Sequence, residues 1–140
     1  MSTQIYVNLP VKDLPRSKDF FAKLGFTFND QFTNDQAACM VVSNDIYVML
    51  LVEPFFKSFT KKPIADARKS TEVLLCLSAE SRAKVDELVA KAVAAGGAAP
   101  NPKQEHDFMY GHGFEDLDGH LWEVAYMDMS KLPDTAQATA

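Results

Sequence analysis

Two hydrophobic periodicities alternate along this chain, and the alternation occurs twice. In the first half an apolar strand-like run at residues 5–11 leads into a helix over about 15–24, followed by three further strand-like runs at 26–32, 37–43 and 46–52. In the second half a strand at 71–77 precedes a helix at about 81–95, and extended runs follow near 98–103, 108–115 and 120–127. The second helix carries Val85, Leu88, Val89, Ala92 and Val93 at the spacing of an amphipathic stripe that packs on a sheet. Gly25 and Gly96-Gly97 stand where each helix should close, Ser17 and Ser81 stand near the starts, and Pro15 suits a first turn. This order predicts an α+β chain of two βαβββ repeats, about 4–53 and 71–128, within a single domain over 1–130. A linker at 54–70 joins the repeats, and a frayed tail is expected at 131–140. Each repeat leaves one sheet face open, so pairing the copies should curl the mixed sheets around a shared cleft.

The closing hairpin, FEDLDGHLWEVAYMD, carries the most chemical information. Asp118-Gly119 is a turn pair, and beyond it His120, Trp122, Val124 and Tyr126 alternate with Leu121, Glu123, Ala125 and Met127. Glu123 is thus a single carboxylate in an apolar strand. Overlaying Leu9-Pro10-Val11 on Leu75-Cys76-Leu77 sets Tyr6 opposite Glu72, and overlaying the turns Asn44-Asp45 and Asp118-Gly119 sets Met49 opposite Glu123. The expected cleft therefore gathers Tyr6, Met49, Glu72 and Glu123, with Asn8, Leu51, Leu74 and Leu121 along its walls. The linker adds Phe55, Phe56 and Phe59, which would either cover the cleft mouth or pack on the domain, and basic residues that would attract an anion. In MYGHGF, Tyr110 and His112 are further candidates to line the cleft, whereas His120 should point away from it and His106 should be solvated.

Composition narrows the classes of function. The net charge of -5 argues against a nucleic-acid partner, which requires a clustered basic surface. No apolar run reaches the roughly 18 residues of a membrane span, and the start lacks the pattern of a secretory signal, so a cytoplasmic protein with no membrane partner is expected. Cys39 and Cys76 lie in apolar runs without metal-motif spacing and should be buried, reduced thiols. Gly111-His112-Gly113 lacks the strand-to-helix context of a dinucleotide loop, and no serine sits in a G-x-S-x-G elbow.

The stretches LPVKDLPRSKDFFAKLGF and FEDLDGHLWEV resemble the opening and closing elements of the vicinal oxygen chelate superfamily, which includes glyoxalase I, bleomycin resistance proteins and extradiol dioxygenases. The resemblance implies a glyoxalase-like fold, frequent homodimers and, in metal-using members, a divalent cation held by His, Gln or Glu from the first and last strands of each repeat. Those positions are Tyr6, Met49, Glu72 and Glu123. Glu72 and Glu123 keep carboxylate ligands, whereas Tyr6 and Met49 depart from the pattern. Several readings stand side by side. One is a small-molecule binder with Glu72 and Glu123 in its cleft, including a sequestering protein of the bleomycin-resistance kind. Another is a divalent-metal-dependent lyase or isomerase of the lactoylglutathione lyase type, in which like charge and burial would raise the pKa of at least one of these carboxyls and suit it to abstract a proton. A third leaves both carboxylates solvated on a scaffold. Ring-cleaving dioxygenase chemistry fits least, because it needs two His and a carboxylate.

Overall fold

The computed structural model describes residues 2–131, and these divide into two compact units with the boundary between Ser70 and Thr71. In the first, β1 (Ile5–Val11), α1 (Leu14–Lys23), β2 (Thr27–Phe28), β3 (Ala37–Ser43) and β4 (Ile46–Val52) form a sheet of order β1-β4-β3-β2. A short helix, α2 (Glu53–Lys57), follows and packs against β1 and β4. In the second, β5 (Leu74–Ser78), α3 (Arg82–Ala94), β6 (Gln104–Glu105), β7 (Met109–Glu115) and β8 (Leu121–Met127) repeat the arrangement as β5-β8-β7-β6. In both sheets the first strand pairs in parallel with the last, and the other pairings are antiparallel. This is the expected duplicated α+β architecture.

The helices start where side chains satisfy free amides. Asp13 accepts from the Arg16 N–H at 3.1 Å, with Pro15 in the first turn of α1. Ser81 accepts from the Lys84 N–H at 3.1 Å at the start of α3. Ser17 lies near the start of α1, as expected, and is buried there, with the cap supplied by Asp13. Each helix covers one sheet face. Leu9, Val11, Ala38, Met40, Val48 and Leu50 form the core of the first unit with Phe20 and Phe21 of α1. Trp122, Val124 and Phe114 form that of the second with Val85, Val89 and Ala92 of α3.

Three expected strands are shorter or displaced. The run at 26–32 pairs only at Thr27–Phe28, because the Asn29 side chain accepts from Gln31 N–H and turns the next residues into a 3-10 helix. The run at 98–103 is a loop apart from one bridge between Ala98 and Glu115, since Pro100 and Pro102 have no N–H for a ladder. The strand expected at 71–77 begins at Leu74, which leaves Glu72 ahead of the sheet. At the other end, Met129–Lys131 forms a 3-10 turn, and the rest of the expected tail lies outside the described residues. Among the described residues no helix is long and apolar enough to cross a membrane.

Candidate functional site

Strand alternation exposes one face of each sheet, and the cross-strand ladders say which residues share it. In the first unit Tyr6 pairs with Tyr47, Asn8 with Met49 and Pro10 with Leu51. The paired positions of this face hold no charged side chain. Leu51, expected to line a cleft, is 2% exposed and belongs to the core. In the second unit Leu74 pairs with Leu121, and Cys76 pairs with Glu123. Gly111, Gly113 and Glu115 of β7 lie on the same face, opposite Ala125, Glu123 and Leu121.

The ladders also align the two repeats. Asp13 and Ser81 are equivalent helix caps, and Asn8 and Cys76, each five residues earlier, are the parallel partners of Met49 and Glu123. Tyr6 therefore corresponds to Leu74, two residues beyond the Glu72 of the sequence overlay. Glu72 is employed elsewhere: its Oε1 is 2.7 Å from Nδ1 of His120, whose side chain is 2% exposed. Glu72, expected to share a cleft with Glu123, is not among the residues lining the cleft around Glu123, and the ladder partner of Glu123 is Cys76, because Glu72 precedes the first paired residue and has a buried histidine to engage.

Around Glu123 the second unit forms a cleft of about 90 Å³, lined by Leu74, Leu121, Gly111, Gly113 and the loop residues Pro100, Asn101 and Pro102, among others. Among the described residues that line it, Glu123 is the one acid. Gly113 has no room for a side chain: a Cβ there would sit 2.7 Å from the Trp122 carbonyl oxygen, and it would border Glu123 Cγ at the contact distance of 3.8 Å. The glycine's bare backbone is the floor over which the Glu123 side chain lies. Beside it, Cys76 is exposed, contrary to the expectation for an apolar run, because alternation turns it to the open face. Its thiol is pushed above the ordinary range by partial burial of the sulfur and, second, by the Glu123 carboxylate. Cys39 is buried, and burial alone raises its thiol.

Tyr110 and His112 belong to the opposite face. Tyr110 is 4% exposed, donates its hydroxyl to Asp86 Oδ1 of α3 at 2.5 Å, and carries the Arg82 guanidinium 5.1 Å from its ring centre. His112 pairs with Val124, its Nε2 lies 3.1 Å from the carbonyl oxygen of Asn101, and both residues line the cleft. The Asp86 carboxyl is held low by the Tyr110 hydroxyl first, with Lys103 and His112 adding to the effect. Of the linker aromatics, Phe55 and Phe56 are half-buried, while Phe59 is 70% exposed and lies edge-on to Phe55 with centroids 5.1 Å apart.

Sequence reasoning overlooked Asp116, the hub of the closing hairpin. It is 4% exposed and accepts from the backbone N–H groups of Asp118 and His120 at 2.9 and 3.0 Å, and from Trp122 Nε1 at 3.0 Å. Burial raises its carboxyl above the usual range, opposed first by His120 and then by the Trp122 and backbone hydrogen bonds. Gly119, at φ 91°, completes the turn. The signal in FEDLDG was an aspartate two residues before an Asp-Gly pair, the spacing of a side chain folding back on its own loop.

A cation in this fold would use the first and last strands of each repeat, which the ladders identify as Tyr6, Met49, Leu74 and Glu123. These four positions carry a phenol, a thioether, an aliphatic chain and a single carboxylate, a donor set that does not fit a hard divalent ion. Among the described residues no group of three or more His, Cys, Asp or Glu side chains could hold a metal.

A βαβββ unit used twice, each copy closing its sheet with a parallel first-to-last pairing, defines a duplicated α+β fold of the glyoxalase kind. The chain belongs to the Glyoxalase/Bleomycin resistance protein/Dioxygenase superfamily, whose family model matches residues 3–124. It is similar to the hypothetical protein SA1046 from S. aureus at 28% identity, with a TM-score of 0.76 over 90% of this chain and 94% of that one. A glyoxalase/bleomycin resistance protein/dioxygenase family enzyme from Burkholderia phytofirmans PsJN has the same fold at 16% identity, with a TM-score of 0.74 over 90% of this chain and 99% of that one. So does the fosfomycin resistance protein FosX from Mesorhizobium loti, at 13% identity and a TM-score of 0.66 over 94% and 97%. No curated protein matches the chain.

Proposed function

We propose that this protein binds a small organic molecule bearing a protonated amine, without a metal, and that Glu123 supplies the anchoring charge. The observation that carries this reading is the placement of one carboxylate in a small cleft walled by Leu74, Leu121 and two glycines. At about 90 Å³ the cleft takes a head group rather than a whole drug-sized ligand, which occupies roughly 300 Å³ or more. Partial removal of water strengthens an ammonium–carboxylate contact relative to bulk solvent. Glu72, engaged by His120, serves the hairpin in this reading and not the ligand.

The lyase or isomerase alternative has less support, because three of the four strand positions that would hold its cation carry no suitable donor. The protein is further proposed to work as a cytoplasmic homodimer, the commonest form of closed oligomer; sedimentation should then give twice the chain mass of 15.5 kDa. The binding proposal is tested by thermal unfolding with a panel of primary alkyl and arylalkyl amines and their N-acetyl derivatives. Binding at 100 times Kd stabilises by about 2.7 kcal/mol, so charged amines should raise Tm and the acetylated partners should not. Equal shifts from both, or none from either, would overturn it.

A further inference from the structure

The open face of the first unit, uncharged at its paired positions, carries a different device. Tyr6 and Tyr47 are ladder partners whose rings stack with centroids 4.9 Å apart and planes within 12°. β1 is an edge strand of this sheet, and Tyr6 remains 51% exposed although one of its ring faces is covered by Tyr47. Both hydroxyls are tied down. Tyr6 donates to Gln4 Oε1 at 3.1 Å, Tyr47 donates to the Asn44 carbonyl at 2.8 Å, and the Gln4 amide lies 3.5 Å from the Tyr47 oxygen. The rings are therefore held in plane before anything binds, and little ordering cost is left for a third ring. A cross-strand aromatic pair supports its sheet through mutual contact alone. Here the outer face is left free, with the exposed amide of Asn8 on the same side of the strand to meet ring substituents.

We propose that the outer face of Tyr6 is a stacking platform for a planar aromatic or heteroaromatic ring. Offset stacking on a pre-oriented ring favours flat π systems over saturated rings of equal size. The inference goes beyond the small-molecule reading of the second unit and concerns the first unit alone, so the test uses neutral probes that do not depend on Glu123. Indole and cyclohexanol are titrated into the full chain while the tyrosine ring protons are followed by NMR. Indole should move the Tyr6 ring resonances upfield and cyclohexanol should not. Tyr6→Leu should weaken indole binding about 5- to 10-fold, Tyr6→Phe should restore it, and Glu123→Gln should leave it unchanged. Absence of a Tyr6 shift, or equal indole affinity in Tyr6→Leu, would overturn the platform whatever the amines do. Loss of indole binding in Glu123→Gln but not in Tyr6→Leu would also overturn it by placing the ring at the other site. The amine reading is judged on amine binding alone, so the two can fail separately.

Discussion

Where the second repeat carries Glu123 the first carries Met49, and where the second lays that side chain over Gly113 the first sets Cys39 beside its methionine. The strand order, the parallel closing pair and the helix caps are the same in both. The difference lies on the open faces, one aromatic and uncharged at its paired positions, the other with a carboxylate beside a glycine floor. A duplicated scaffold constrains the core face, where each side chain packs against a helix, and leaves the other face free to diverge. The familiar fold therefore says little about chemistry here, and the four strand positions say more.

The largest expected effect comes from the hairpin of the second repeat. Asp116→Ala would remove the carboxylate that two backbone amides and the Trp122 indole N–H donate to, in a largely buried hairpin. A loss of about 3 kcal/mol is expected from urea unfolding, because stranded buried donors lose their hydration as well as their bond. Next is the contrast at matched positions. Gly113→Ala drives a Cβ to 2.7 Å from the Trp122 carbonyl and should cost about 2 kcal/mol, whereas Cys39→Ala at the equivalent site of the first repeat should cost about 1 kcal/mol. Equal costs at the two sites would remove the case for a specialised floor beneath Glu123.

The smallest effect is electrostatic. The Glu123 carboxylate disfavours the neighbouring thiolate, so Glu123→Gln should lower the Cys76 pKa and shift its alkylation profile to lower pH. Cys39, raised by burial alone, should not respond. Folding linkage follows the sign of the shift. A thiol raised in the folded state destabilises that state as pH climbs from the unfolded thiol's pKa to the folded one, and this alkaline loss should be smaller in Glu123→Gln.

The repeat order, both helices and the closing hairpin were legible from periodicity, because apolar alternation and an Asp-Gly turn report local geometry directly. The site was legible only in part. Tyr6, Asn8, Met49, Leu74, Leu121 and Glu123 share open faces as strand parity implied. Glu72 was misplaced because the overlay matched the apolar letters LPV and LCL, whereas the register follows the helix caps and the parallel ladder. Tyr110 could have been assigned correctly: the antiparallel pairing of Phe114 with Trp122 across the Asp118-Gly119 turn puts Tyr110 opposite Tyr126 on the core face, whereas His112, opposite Val124, still lies along the cleft wall. The bond between His120 and Glu72 joins residues 48 apart in sequence, and no local pattern announces it.

The central prediction is that Glu123 anchors a ligand without a metal. The most direct measurement is calorimetric titration of 2-phenylethylamine into the wild type and Glu123→Gln, each in EDTA and again after loading with Mn²⁺ or Ni²⁺. Equal affinity in EDTA and in metal, with a loss of about tenfold or more in Glu123→Gln, is the predicted result. Binding that appears only with metal and vanishes in EDTA would contradict it.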